Sequence, residues 1–257
     1  MKIYTYDNTF EGFLTCVFDC YSRKDFPVDI CSRYGEQRYL FVESIDVPTN
    51  PKKAERVWKG IQKHLSGKNK QLLFYAYLSE ELGIEMKIYR FLRRMFSGHL
   101  NLETDYGDPD VLHLTQASQK VKKEAMRMMQ FVRFQRTKDR MYFCGIEPRY
   151  DVIPLIINHY QKRFTDQRWL IYDLKRNYGI LYGNEKVEEV VLTKKQFNAY
   201  NGQVKEELLH EGEDFYQKLW RSYFKHINIE ERKNLKLQRQ HMPRRFWRYL
   251  PEKQEAN

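Results

Sequence analysis

The 257-residue chain contains only four cysteines, Cys16, Cys20, Cys31 and Cys144, and no Cys-x-x-Cys step joins any two of them. That spacing argues against a zinc or iron–sulfur site and excludes a three-cysteine cluster motif, so no metal or other cofactor is expected. Cys16 and Cys20 stand four apart on a predicted helix and read as small buried hydrophobes in a reducing compartment. No apolar run reaches the roughly eighteen residues that a membrane helix requires. The first residues, Met1 to Asp7, also lack the apolar core of a secretory signal, and a cytoplasmic protein is the expectation. Also missing are a glycine-rich phosphate loop, a Gly-x-Ser-x-Gly elbow and a His-Glu-x-x-His pair, while the seven histidines are scattered singly.

Positive charge is abundant and unevenly placed. The chain carries +11 overall. Between Lys218 and Lys253, eleven lysines and arginines face three glutamates, and between Gln116 and Arg140 eight face two acids. These two stretches exceed the whole-chain charge, so the remainder is slightly acidic. Gathered cations beside large aromatics suit a polyanion that offers flat faces for stacking, which describes nucleic acid. The candidate contacts are Lys120, Lys123, Arg127 and Arg133 in the first stretch, and Arg239, Arg244, Arg245, Trp247 and Arg248 in the second. The last three arginines would clamp phosphates, with Phe246, Trp247 or Tyr249 either stacking a base or anchoring the segment.

Periodicity predicts an α+β protein with a mainly helical N-terminal half. A strand at Ile3–Tyr6 leads to a helix from Phe10 to about Arg23 capped by Thr9, then a strand at Tyr39–Ile45 and a helix from Pro51 to Leu65. Helices at about Gln71–Leu82 and Glu85–Phe96 follow. The loop Gly98–Asp110 marks the candidate boundary between a region 1–110 and a region 111–257, unless the two form one continuous domain. Beyond it come a helix from Leu114 to about Met129, a hairpin of Phe131–Arg136 and Arg140–Ile146, a helix Val152–Phe164 capped by Asp151, and strands Arg168–Leu174 and Tyr178–Tyr182. This β-β-α-β-β unit is expected to be a mostly antiparallel sheet packed by helices, followed by the basic, aromatic C-terminal segment. A helix from Val204 to His226 would place Tyr216, Trp220, Tyr223, Phe224 and Ile227 on one stripe, which reads as core rather than as a base-stacking platform.

Catalytic constellations are sparse. Glu147 and Asp151 flank a strand-to-helix turn, and Asp173 ends a strand, so these three carboxylates are the candidate acids or bases. The simpler reading makes Asp151 a helix cap and gives Asp173 a partner in Lys175 or Arg176.

Several strings together resemble a bacterial family of uncharacterised, probable DNA metabolism proteins: Tyr6–Thr15, Met129–Phe134, Ile146–Pro148 with Asp151–Ile156, Asp166–Asp173, and Ile227–Arg232 through Pro251. The resemblance covers nearly the whole chain. It implies a companion of a radical S-adenosylmethionine protein that modifies or repairs DNA, and some relatives are fused to a uracil-DNA glycosylase superfamily domain. The expected function is a DNA-binding accessory protein in repair or modification, with chemistry supplied by that separate enzyme. The alternatives are an enzyme acting directly on DNA, nuclease-like or glycosylase-like, through the carboxylates of residues 145–173, and a scaffold that binds only protein.

Overall fold

The structure, a computed structural model, describes residues 2–33, 42–67, 69–99, 102–193, 196–227 and 229–254. It is α+β, and the chain divides into two compact units, Met1–Lys122 and Lys123–Asn257.

The first unit is built on a three-stranded parallel sheet: β1 (Lys2–Tyr6) lies between β2 (Asp29–Ser32) and β3 (Glu43–Asp46). Parallel pairing of β1 with β2 requires a crossover, which α1 (Phe10–Arg23) supplies. The Thr9 hydroxyl accepts a hydrogen bond from the Gly12 backbone N–H at 2.9 Å, and Lys24 closes the helix in the left-handed conformation. Only glycine fits at position 12, because a Cβ there would meet the Asp7 carboxylate at 2.2 Å. That carboxylate accepts hydrogen bonds from the Thr9 and Thr49 hydroxyls at 2.7 Å. Next comes α2 (Pro51–His64), with Pro51 in its first turn and Asn50 as its cap. The short α3 (Leu72–Tyr77), α4 (Ile84–Phe96) and the start of α5 (Pro109–Phe131) complete the unit around Tyr4, Phe13, Val17, Ile61, Leu73, Ile88, Leu92 and Leu114.

Three differences from the sequence reading have physical causes. Strand β2 was not expected, because Asp29–Ser32 is short and has only one strongly apolar residue beyond its cysteine; parallel pairing to β1 makes it a strand. The expected strand Tyr39–Ile45 is seen from Glu43 onward, and its first part lies outside the described residues. Helix α5 starts at Pro109 rather than Leu114, since the Asp108 carboxylate caps the backbone N–H groups of Asp110 and Val111 at 2.9 and 3.0 Å.

In the second unit five strands run in the order β4 (Gln135–Arg136), β5 (Tyr142–Ile146), β6 (Trp169–Asp173), β7 (Tyr178–Gly183) and β8 (Lys186–Val190). Three of the four pairings are antiparallel; β5 and β6 are parallel because α6 (Ile153–Arg163) crosses between them. The β4–β5 hairpin turns about the expected Thr137–Asp139 triplet, but Arg140 joins the turn, so that β5 begins at Tyr142, and Phe131 belongs to α5, where it packs on Phe246. Strand β8 escaped the sequence reading because lysine and glutamate dominate it, as suits an exposed edge.

Both faces of the sheet are covered. On one, Trp169 stacks on Tyr182 with ring centroids 5.2 Å apart and meets Tyr160 of α6 edge-on. On the other, Phe143, Leu170 and Tyr172 pack against Phe197 and Val204 from an irregular segment that precedes α7 (Glu213–His226). Segment and sheet come close at Gly145, where a Cβ would stand 2.9 Å from the Gly202 Cα. The chain then continues into α8 (Leu235–His241) and the 3₁₀ turns Arg244–Tyr249 and Pro251–Lys253.

Candidate nucleic-acid interface

The C-terminal arginines are where a phosphate clamp was expected, but most of them face carboxylates. Arg245 pairs with Glu124, a buried residue of α5 whose other carboxylate oxygen accepts the Arg149 backbone N–H at 2.9 Å. Arg248 donates to Glu147 at 2.6 Å, and the Tyr249 hydroxyl donates to the same oxygen at 2.7 Å. Burial raises the Tyr249 pKa, and the neighbouring Glu147 adds to that shift. The Arg133 guanidinium reaches Glu252 at 2.7 Å, and the Glu252 side chain is fully covered. Trp247 is anchored through its indole N–H, which donates to the Met242 carbonyl at 2.9 Å.

Other cations on the candidate surface are arranged differently. Arg127 reaches the Gln240 carbonyl at 3.4 Å, whereas Lys123 and Arg239 are exposed. Arg244 is exposed and lies over the Trp247 ring. Lys120 belongs to the first unit, where it pairs with Glu81 at 3.1 Å. Of the nine nucleic-acid candidates, Lys120, Arg133, Arg245 and Arg248 are therefore paired with carboxylates, and Arg127 and Trp247 donate to backbone carbonyls. Arg133, Arg245 and Arg248 hold the C-terminal segment on its own unit.

The three candidate acids share one region of the fold. Asp173 is in register with Ile146 across the parallel β5–β6 pair, so it ends its strand beside the loop carrying Glu147 and Asp151. Each already has partners. Asp173 is fully buried, accepts the backbone N–H groups of Lys175 and Arg176 at 2.9 and 3.0 Å, and pairs with the Arg176 guanidinium at 2.8 Å. Burial raises its pKa, and Arg176 opposes that shift. Arg176 also donates to the carbonyls of Pro148 and Arg149, tying the β6–β7 turn to the loop after β5. Asp151 does not cap α6, whose N-cap is Val152 without a side-chain bond; it accepts the Tyr178 hydroxyl at 2.5 Å instead. Among the described residues, no group of three or more His, Cys, Asp or Glu side chains could hold a metal ion.

The unexpected feature is α7. Its aromatic stripe was read as core, but the only buried residue of the helix is Glu213. That carboxylate accepts the Arg136 backbone N–H of β4 at 3.0 Å and the Gln217 amide at 3.2 Å. Two turns further on, the Trp220 indole N–H donates to Glu252 at 2.9 Å, and Arg133 lies over its ring. Polar anchors therefore fix the inner side. Phe215, Tyr216, Leu219, Tyr223 and Ile227 project outward, each more than half exposed. Nine of the nineteen large apolar side chains exposed among the described residues lie between Phe215 and Leu237, which concentrates them in one segment rather than scattering them. Lys218 and Lys225 are exposed on the same helix, and Lys236 and Arg239 on α8. Sequence periodicity located the stripe but could not say whether anything covers it.

The chain matches none of the curated proteins. One family model matches residues 83–252, well over half the chain, starting at the Gly83 cap of α4 and ending at Glu252, the acid that anchors Trp220. By that match, the chain belongs to the DUF4130 family, a domain of unknown function.

Proposed function

We propose that the protein is an accessory factor that binds single-stranded DNA along the outer face of α7 and the cations of α8, while a separate radical S-adenosylmethionine enzyme supplies the chemistry. The observation that carries the DNA-binding half is the inverted amphipathicity of α7, whose Glu213 carboxylate and Trp220 indole N–H point inward while the rings of Phe215, Tyr216 and Tyr223 are exposed to solvent. A globular core cannot use rings placed that way. Bases can, because each has a π-face, and stacking on an exposed aromatic contributes roughly 1–3 kcal/mol per base. Unpaired bases offer those faces and paired ones do not, which selects a single strand.

Charge complementarity selects a nucleic acid over an apolar protein partner. Lys225 is exposed on α7 and Lys236 and Arg239 on α8, as is Lys218 of α7, which pairs with Asp214 at 2.5 Å. The radical-enzyme partner rests on the family resemblance of the sequence. A direct enzymatic role for Glu147, Asp151 and Asp173 has less support, since each carboxylate already accepts hydrogen bonds that hold the loop and turn together.

Fluorescence anisotropy with a labelled oligothymidylate and the matching duplex tests the DNA-binding half. Tighter binding of the single strand is expected, with log K falling against log salt at a slope of about −0.7 per phosphate contacted. Equal affinity for duplex, or no binding at 50 mM salt, contradicts it. Co-purification with the radical enzyme tests the other half.

A further inference from the structure

Between one face of the second unit's sheet and the segment that precedes α7 is a cavity of about 240 Å³. Its walls are Phe143 and Leu170 from the sheet, with Leu192, Phe197, Val204 and Leu208 opposite. Phe143 and Phe197 are stacked with centroids 5.2 Å apart. The mouth carries Lys138, Asp139 and Gln196.

The cavity is held open by hydrogen bonds at its rim. The buried Gln135 amide donates to the Gly202 carbonyl at 3.1 Å and accepts the Val204 N–H at 3.0 Å. The Lys138 N–H donates to the Leu208 carbonyl at 2.9 Å, and Thr137 bridges to Leu209. With the segment fixed at these points, the hollow beside the Phe143–Phe197 contact cannot close without losing buried backbone hydrogen bonds, each costing about 1–3 kcal/mol. An apolar hollow of this size, open at one side, has room for a small aromatic molecule: engineered cavities of about 150 Å³ already take up benzene.

Charge narrows the ligand class. The mouth carries one lysine and one aspartate. The adjoining polar groove, which shares Lys138 and Val204 with the cavity, adds Glu206, Glu211 and Asp214 against Arg221. An anion would meet more acids than bases on entry. We infer that the cavity binds a neutral, planar, one- or two-ring heteroaromatic molecule, with its ring body against Phe143 and Phe197 and its polar edge at Gln196 and Asp139. This site is separate from the outer face of α7 and does not depend on nucleic-acid binding there.

The test is titration of the full-length protein with free adenine and with indole, followed by methyl NMR of Met141, which lines the cavity, and by calorimetry. Saturable binding of at least one probe is expected, with movement of the Met141 methyl signal. Leu192→Trp and Leu208→Trp, which fill the hollow, should each weaken binding at least tenfold. Adenosine 5′-monophosphate, the same ring bearing a dianion, should bind more weakly than adenine. Failure of both probes to move the Met141 signal of the unaltered protein overturns the inference whether or not the tryptophan variants fold. Unchanged affinity in a folded tryptophan variant, or tighter binding of the monophosphate, also overturns it.

Discussion

Replacing Phe215, Tyr216 and Tyr223 together by alanine separates a surface stripe from a core stripe in a single variant. A core aromatic truncated to alanine costs about 3–5 kcal/mol. Three such losses would total about 9–15 kcal/mol, as much as the whole stability of a typical domain, and the protein would not fold. The structure leads to a different value. These rings are 65%, 61% and 55% exposed, so less than half of each is removed from water. Full burial of a large apolar side chain is worth about 1.5–3 kcal/mol, so each truncation forfeits on the order of 1 kcal/mol. Alanine's better helix propensity returns about 0.5 kcal/mol at each position. The net cost is about 1–2 kcal/mol for the triple variant, which urea denaturation resolves. DNA binding should respond more strongly. Loss of two stacked bases removes about 2–6 kcal/mol, at least a thirtyfold weakening by anisotropy. A variant that fails to fold would refute the exposed helix, and a folded variant with unchanged affinity would refute the stacking role.

Other consequences follow from pairs of buried groups. Arg245→Met should cost about 3 kcal/mol by stranding the Glu124 carboxylate, and adding Glu124→Gln should recover part of that loss in a double-mutant cycle; a neutral single variant would contradict the anchoring role. Two carboxylates should give opposite pH dependence. The Arg94 guanidinium, against some opposing burial, holds Asp108 below the usual carboxylate range, so its stabilisation is complete above about pH 4 and is lost as pH falls through the depressed folded value. Burial raises Asp173, so its contribution is complete below about pH 4 and is lost as pH rises through the elevated folded value. Comparing denaturation of Asp108→Asn and Asp173→Asn with the unaltered protein from pH 3 to pH 7 should give differences of opposite slope. Finally, burial pushes Cys20 and Cys144 up to about 12 and Cys16 higher still, so iodoacetamide at pH 8 should modify Cys31 first in the folded protein, as peptide mass mapping would show.

Local signals in the sequence located most of the elements. Thr9 before Phe10, Pro51 in the first turn of an amphipathic run, and the polar triplet Thr137–Asp139 each work through neighbours a few residues away, and each marks its cap, helix start or turn as read. Asp108-Pro109 is an equally local start signal, but it was absorbed into a loop rich in glycine and aspartate. What escaped depends on distant partners. Arg245 and Glu124 are 121 residues apart, and Arg248 and Glu147 are 101 apart, so charge counting saw cations without the acids that neutralise them. Convergence of Glu147, Asp151 and Asp173 was partly legible from their positions at strand ends, whereas the Tyr178 and Tyr249 hydroxyls that engage them were not. A stripe at helical spacing reports that a helix is two-sided. It does not report which side faces water, and on α7 the usual inference is reversed by Glu213 and Trp220.

Photocrosslinking of an oligonucleotide containing 5-iodouracil to the full-length protein, with the adducts mapped by mass spectrometry, examines the claimed contact surface most directly. Adducts on Phe215, Tyr216 or Tyr223 are the predicted result. Adducts confined to Trp247 and Tyr249, or to residues of the first unit, would contradict the assignment of α7 as the DNA-binding face.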